Sequence, residues 1–284
     1  MTSTQLNERI DLALQGDQEA LEMLLGEVQH LVFTLSLRML GSVADTEDAT
    51  QEILVRVMTN LSSFRKESRF STWVYRIAVN YLLNCKKHMF AQRPLSFEFY
   101  GNDIDAGFIN SASVDLKGVD ENLLAEELKL SCTNVMLQCL EPENRSIYIL
   151  GTMFQTDSKT AAEILGITAE NYRQKLSRVR KKMGNFLSAY CGLSATGRCD
   201  CKKRIGYAVS QKRLDPQRLE YSGLERLESG VLAQVKESME QMDQLSGVFR
   251  SLPRYKATKP AGDFLRTLMK SADMQSIQSG GGAV

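Results

Sequence analysis

The sequence predicts an all-α protein made of two small helical domains, an acidic linker between them and a helical C-terminal extension. Apolar residues recur at helical spacing along most of the chain, and the two-residue alternation of strands is almost absent. The 284 residues are 43% hydrophobic and 24% charged, which is typical of an ordinary globular chain. We expect domains at residues 1–90, 121–190 and 191–284, with the linker at 91–120.

Capping residues indicate where the helices of the first domain begin. Asp17 precedes a long amphipathic segment that stops near Gly41, and Asp45 is expected to start a second helix. A basic loop follows, after which Ser71 is expected to cap a third helix that runs through Lys87.

The stretch from about residue 89 to 119 has no convincing period. It carries Pro94, three glycines and scattered acidic residues, a composition typical of a linker. Helical pattern resumes near residue 121, and Pro142 is well placed to open the next helix.

Residues 158–183 have the layout of a helix-turn-helix. A short helix leads into the turn at residues 165–167, and Thr168 caps a second helix. The second helix has an apolar stripe of Tyr172, Leu176, Val179 and Met183. Its outward-facing polar side chains, which have donors that can meet base edges in a major groove, are Asn171, Arg173, Gln174, Lys175, Ser177 and Arg178. Many helical hairpins share such a turn, so an ordinary hairpin remains the alternative.

The net charge of +1 conceals opposing blocks along the chain. Basic residues dominate at 65–88 and again at 173–204, and acidic residues dominate between these two blocks. Two basic surfaces separated by an acidic segment suggest one polyanion that is bound at two places. Solvated helix faces are the alternative interpretation.

The only tryptophan, Trp73, lies within the first basic block, among hydroxyl groups and positive charges. With Ile77 and Tyr81 it forms one face of the predicted helix, and core packing is the default role of such a residue. A basic, hydroxyl-rich loop that leads into an aromatic edge also suits single-stranded nucleic acid, because a flat ring can stack beside an unpaired base. One ring can serve both roles.

Two segments of the chain resemble a known family. DTEDATQEILVRVMTNLSSFRKESRFSTWVYRIAVNYLLNCKK resembles region 2 of the extracytoplasmic-function (ECF) sigma factors, and PENRSIYILGTMFQTDSKTAAEILGITAENYRQKLSRVRKKM resembles their region 4. The resemblance spans about residues 5 to 190. It implies that region 2 binds a coiled coil of core RNA polymerase and melts the −10 promoter element. It also implies that region 4 binds the −35 element as duplex and contacts the polymerase flap.

The resemblance assigns roles by position. The residues that match the polymerase-binding helix are Asp45, Asp48, Gln51, Glu52 and Val55. Those that match the −10 loop and the strand-holding helix are Phe64, Arg65, Lys66, Arg69, Thr72, Trp73, Arg76 and Asn80. Those that match the −35 site are Thr168, Asn171, Arg173, Gln174, Lys175 and Arg178. Tyr172 stands where the family usually has a small β-branched residue, so the promoter sequence does not transfer.

The extension beyond Tyr190 begins with a cluster of cysteines at Cys191, Cys199 and Cys201. The resemblance implies no required cofactor. Three thiolates and one ligand from elsewhere suit zinc or a softer metal, so metal or redox sensing is one interpretation and incidental thiols are the other. An approximate apolar stripe from Leu224 to Leu245 indicates either an internal packing face or a partner surface.

Several functional classes lack support in the sequence. It has no P-loop, no dinucleotide-binding glycine motif, no HExxH and only two histidines, so we expect no catalytic residues and no enzyme. The N-terminus lacks a signal-peptide pattern, and we expect a cytoplasmic protein without a membrane segment. The expected function is that of a sigma factor, with core RNA polymerase and promoter DNA as partners and with an anti-sigma factor left open. The alternatives are a helix-turn-helix activator that is not a sigma subunit and a sigma-binding adapter.

Overall fold

The computed structural model describes residues 3–85, 90, 95–109, 118–194, 196–227, 247–250 and 252–269. The predicted all-α class is confirmed: the described residues contain helices and two isolated β-bridges but no strand. The helices in chain order are α1 Ser3–Leu14, α2 Gln18–Leu40, α3 Val43–Thr59, α4 Phe70–Asn84, α5 Phe97–Ile109, α6 Glu121–Gln138, α7 Pro142–Tyr148, α8 Ser158–Leu165, α9 Ala169–Tyr190, α10 Ile205–Ser210, α11 Gly247–Arg250 and α12 Ala261–Met269. A 3₁₀ turn at Leu61–Ser63 precedes α4, and a π-helical turn at Ile149–Met153 extends α7.

Helix α2 is the central helix of the core, and its predicted ends are confirmed. The Asp17 carboxylate accepts a hydrogen bond from the Ala20 amide at 3.0 Å, and Gly41 ends the helix with a φ of 78°. Every residue from Val32 to Leu40 is buried. Among the described helices α2 has the length and composition of a membrane span, but that same apolar composition is what a buried core helix requires.

Two predicted helix starts in the first domain are wrong by one or two residues. Helix α3 begins at Val43 because Ser42, not Asp45, is the cap: the Ser42 hydroxyl accepts a hydrogen bond from the Asp45 amide at 3.3 Å. Helix α4 begins at Phe70, so Ser71 lies in its first turn and does not cap it. It ends at Asn84, and the predicted end at Lys87 lies outside the described residues.

The prediction of an irregular linker is wrong over residues 97–109, where α5 forms. Its Phe97 and Tyr100 rings pack on Phe186 of α9, with centroids at 5.0 and 5.9 Å, and Ile104 is also buried. These apolar residues lie at helical spacing, but the surrounding glycines and acidic residues conceal the pattern in the sequence. Packing against α9 therefore decides the structure of this segment.

The predicted helix-turn-helix is confirmed in α8 and α9. Gly166 forms the turn with a φ of 66°, and the Thr168 hydroxyl accepts a hydrogen bond from the Asn171 amide at 3.2 Å. Pro142 opens α7 as predicted. In α9 the stripe residues Tyr172, Val179 and Met183 are buried and Leu176 is half-buried.

The two helical domains and the extension share one hydrophobic core. Helix α4 packs against α8, and α12 of the extension packs against α2 and α3. A smaller apolar cluster joins α10 of the extension to α6. Leu224 of the predicted extension stripe is buried, whereas the stripe from Val231 to Leu245 lies outside the described residues.

A glycine in the π-helical turn makes room for Tyr172. A Cβ on Gly151 would overlap the Tyr172 hydroxyl and would lie 2.6 Å from Leu176 Cδ2. We predict that Gly151→Ala lowers the free energy of unfolding by about 1–3 kcal/mol, because overpacking forces the helix-turn-helix apart. Urea denaturation of the full chain measures this change.

Gly26 of α2 is the matched control, since a Cβ there meets nothing within 4 Å. We expect Gly26→Ala to raise the free energy of unfolding by roughly 0.5–1 kcal/mol through helix propensity. If both substitutions stabilised the chain, the close approach at Gly151 would be wrong.

Candidate nucleic-acid interface

Trp73 belongs to a cluster of three aromatic rings beside the basic loop. Its ring centroid lies 5.4 Å from that of Phe64 and 5.7 Å from that of Phe70, and the two phenylalanine centroids are 5.4 Å apart. Both phenylalanines are buried, whereas Trp73 is half-buried. The tryptophan therefore packs on the core and still presents part of its ring at the surface.

The basic loop at residues 65–69 presents its charges to solvent. Arg65, Lys66 and Arg69 are exposed, and Lys66 adopts a φ of 59°. The Lys66 ammonium lies 2.5 Å from the Asp11 carboxylate of α1. Exposed ion pairs of this kind contribute at most about 1 kcal/mol, so a phosphate can displace the carboxylate at little cost.

The predicted strand-holding face of α4 is only partly exposed. Arg76 and Asn80 are exposed, as expected, but Thr72 is only 6% exposed. The resemblance assigns Thr72 to the strand-holding helix, but its side chain is buried because the first turn of α4 is packed into the core together with Phe70. Phe64, placed in the −10 set, is likewise buried at 7% exposure.

Arg76 joins this face to the helix-turn-helix. Its guanidinium donates to the Glu163 carbonyl of α8 at 3.0 Å and lies 3.8 Å from the Glu163 carboxylate. Beside it the Tyr75 and Phe154 rings are in contact at 5.9 Å, and burial raises the pKa of Tyr75 to about 12. One predicted −10 residue is therefore held against the domain predicted to read the −35 element.

The outward face of α9 carries the predicted −35 residues. Asn171, Gln174 and Arg178 are exposed. Arg173 donates weakly to the Ser158 hydroxyl at 3.4 Å, and Lys175 pairs with the Glu143 carboxylate at 2.5 Å. These interactions lie at the surface and are weak in water, so they leave the side chains available to DNA.

The predicted polymerase-binding residues lie along α3. Asp48 and Glu52 are exposed, and Asp45, Gln51 and Val55 are half-buried. The acidic face is therefore presented in part at the surface.

The extension borders this face, which the sequence did not indicate. The Lys259 ammonium lies 3.2 Å from the Glu47 carboxylate, and the Val43 amide at the start of α3 donates to the Glu220 carboxylate at 2.8 Å. Gln51 shares a small cavity with Lys259 and Phe264 of the extension. Contacts between residues about 200 positions apart cannot be predicted from the local pattern of the sequence.

The three cysteines of the extension are brought together, and a fourth joins them. Cys191, Cys199 and Cys201 line one cavity with Cys132 of α6, a residue that the sequence interpretation did not single out. Among the described residues, no group of three or more potential ligand side chains is already arranged to hold a metal ion. Metal binding therefore stays a prediction.

Comparison with known proteins agrees with the division of the chain into two matched regions. The family model for sigma-70 region 2 matches residues 24–88, and the model for sigma-70 region 4 matches residues 130–183. The chain is 28% identical over 190 residues to the ECF RNA polymerase sigma-E factor of Escherichia coli, an alignment that covers 65% of this chain and 94% of the relative.

Two further relatives give the same result. Identity to the ECF RNA polymerase sigma factor SigW of Bacillus subtilis is 26% over 180 residues, covering 63% of this chain and 94% of the relative. Identity to the RNA polymerase sigma-H factor of Pseudomonas aeruginosa is 23% over 189 residues, covering 66% and 96% respectively.

The fold and the matched regions define a helical protein that carries both sigma-70 regions in one chain. Its similarity is to the extracytoplasmic-function sigma factors of that family. It is longer than the relatives it matches, and the matched regions end at residue 183.

The exposed face of α9 gives a prediction that separates base reading from phosphate binding. Gln174→Ala should relax the preference at particular −35 base pairs, since a bidentate base contact contributes about 1–3 kcal/mol of discrimination. Lys181→Ala, a change at another exposed position of α9, should weaken binding to all sequences and flatten its salt dependence.

Binding of the polymerase holoenzyme to a library of −35 variants at several salt concentrations measures both effects. Identical specificity profiles for the Gln174 and Lys181 variants would contradict the proposed orientation of α9.

Proposed function

We propose that this chain, as an RNA polymerase sigma factor, directs core polymerase to promoters by opening the −10 element with α4 and reading the −35 element with α9. The observation that carries the proposal is the presence, in one chain, of a basic loop beside a half-exposed tryptophan and of a helix-turn-helix with exposed donors. We also propose that it works in the cytoplasm, where core polymerase and promoters are found, and that it has no catalytic residue of its own.

The −10 contact requires a base to leave the duplex stack, which costs a few kcal/mol. Arg65 and Arg69 are placed to bind the phosphates of the separated strand. The exposed part of Trp73 offers a surface for stacking, and base–aromatic stacking contributes about 1–3 kcal/mol per base. Arg76 and Asn80, one helical turn apart on α4, add donors along the same strand.

The −35 contact uses duplex DNA and therefore a different chemistry. The start of α9 has free amide groups that suit a phosphate, and Thr168 fixes that end of the helix. Gln174 and Arg173 supply the hydrogen-bonding groups that distinguish bases in the major groove. Lys175 and Arg178 supply positive charge toward the backbone.

Polymerase binding is assigned to the acidic face of α3. Asp48 and Glu52 are one turn apart and exposed, which suits a partner helix with basic residues. Lys259 and Glu220 of the extension lie beside this face, so the extension is placed to influence access to it.

The two promoter-binding surfaces cannot both engage DNA in the compact arrangement. The −10 and −35 elements are about 25 base pairs apart, or roughly 85 Å along B-DNA, whereas a compact chain of this length has a radius of gyration of about 19 Å. Helix α4 packs against α8, and the Arg76–Glu163 contact lies at this interface. We infer that the contact between α4 and α8 opens when the chain binds polymerase and promoter.

A strand-opening role predicts a template-dependent defect. Arg76→Ala or Asn80→Ala should impair open-complex formation on duplex promoters more than on promoters with a premelted bubble, because the bubble removes the cost of unpairing. Permanganate footprinting measures the open complex on both templates. Of these two side chains, Arg76 bonds to α8 whereas Asn80 is exposed, so the Asn80 variant separates strand opening from domain opening. If open-complex formation fell equally on both templates, the substitutions would weaken promoter affinity and not strand opening.

Domain opening predicts an increase in the distance between α4 and α9. Fluorophores attached through non-natural amino acids at Asn84 of α4 and Asn185 of α9, two exposed positions outside the proposed DNA-binding sets, should show high energy transfer in the free chain and low transfer once the chain is bound to core polymerase and promoter. Unchanged transfer would contradict the inferred opening.

A helix-turn-helix activator or a sigma-binding adapter would need another sigma factor. Run-off transcription with core polymerase and this chain alone distinguishes the classes. We expect promoter-specific transcripts, and their absence would exclude the proposed function.

A further inference from the structure

Four of the six cysteines line one cavity. Cys191, Cys199 and Cys201 come from the first residues of the extension, and Cys132 comes from α6, about 60 residues earlier. The remaining cysteines, Cys85 and Cys139, do not line this cavity. All four cavity cysteines are free thiols, so none is occupied by a disulfide.

The backbone holds the cysteines of the extension in place. Cys191 and Cys199 are partners in a parallel β-bridge, and the Cys199 amide donates to the Tyr190 carbonyl at 2.9 Å. Gly192 and Gly197 lie so close to the opposite segment that a Cβ on either would overlap its backbone. Only glycine permits this close approach, so the loop is built tightly around Cys191 and Cys199.

Hydrogen bonds also fix the turn that follows Cys191. The Ser194 amide donates to the Cys191 carbonyl at 2.9 Å, and the Ser194 hydroxyl donates to the same carbonyl at 2.7 Å. The backbone of Cys191 is therefore held in place at the edge of the cavity.

A positive side chain also lies at the cavity. Lys129 is one of the lining residues. Its ammonium can partly balance the negative charge that a cluster of thiolates carries around a bound cation.

We propose that Cys132, Cys191, Cys199 and Cys201 form a four-thiolate site for a zinc-class metal ion that fastens the extension to α6. Binding of Zn²⁺ releases four thiol protons and leaves a centre of net charge −2, which Lys129 partly balances. Tetrahedral sulfur ligation favours zinc and softer ions over magnesium or calcium. The thiols are not yet arranged as ligands, so their side chains turn into the cavity when the metal binds.

The site has a consequence for the domain that contains the helix-turn-helix. Cys191 directly follows the end of α9, and Cys132 lies in α6, which packs on α2. A metal here joins the end of α9, the extension and the core through one centre. Metal loss should therefore loosen the extension from α6 before it affects the helix-turn-helix itself.

The test uses the full chain, purified under reducing conditions and loaded with Zn²⁺ or Co²⁺. We expect one tightly bound ion per chain and the cobalt absorption bands of a tetrahedral four-sulfur site. Each of Cys132→Ser, Cys191→Ser, Cys199→Ser and Cys201→Ser should weaken binding at least about tenfold. Cys85→Ser, a half-buried thiol outside the cavity, should bind as the intact chain does. Acidification should release the ion, because protons compete for the thiolates.

Cys132→Ser is the decisive variant, and circular dichroism checks that it is folded. A folded Cys132→Ser chain that binds metal as tightly as the intact chain would overturn the four-thiolate site, as would an intact reduced chain that binds no ion. X-ray absorption that counted fewer than four sulfur ligands would overturn it as well. Run-off transcription with the same preparations keeps the two proposals apart, since a chain that binds zinc but directs no transcription would contradict only the proposed function.

Discussion

The C-terminal end of α2 is the point on which the whole arrangement depends. The last carbonyls of a helix lack partners within the helix, and here both other parts of the chain supply them. The Met39 carbonyl accepts from Arg145 of α7 at 2.6 Å, and the Gly41 carbonyl accepts from the Tyr221 hydroxyl of the extension at 2.6 Å. Arg38 donates to Asn134 of α6 at 2.7 Å. The first domain, the second domain and the extension are therefore joined by the polar groups of one helix end.

The junction contains the buried, charged side chain of Arg145, whose donors must all be satisfied. Arg145 donates to the carbonyls of Leu137, Gln138 and Leu140 as well as to that of Met39, and burial lowers the pKa of its guanidinium to about 10. A buried cation is tolerated only when its donors are satisfied, so the ends of α2 and α6 must stay together around it. The contact between Arg76 and α8, by contrast, lies at the surface and contributes little. Packing of the apolar side chains of α4 against those of α8 therefore contributes more to this interface than the Arg76 ion pair does.

The extension is part of this folded unit. The Glu127 carboxylate of α6 is buried and accepts from the amides of Glu220, Tyr221 and Ser222 at 2.7 to 2.9 Å. Farther along, the Ala257 amide donates to the His30 ring of α2 at 2.9 Å. The extension therefore contacts both domains through buried or partly buried hydrogen bonds, and the proposed thiolate site lies where it leaves α9.

The sequence by itself determined the elements whose signals are local. Asp17, Pro142, Gly166 and Thr168 mark helix ends through the geometry of one turn, and the two matched family segments follow from residue order alone. Tertiary structure decided what depends on residues distant in the chain. Helix α5 forms because Phe186 covers its apolar face, Thr72 is buried because the first turn of α4 enters the core, and Cys132 joins the other cysteines because α6 packs beside the extension. Periodicity and capping act over a few residues, whereas burial depends on which distant surface covers a side chain, and no pattern within a single helix specifies that surface.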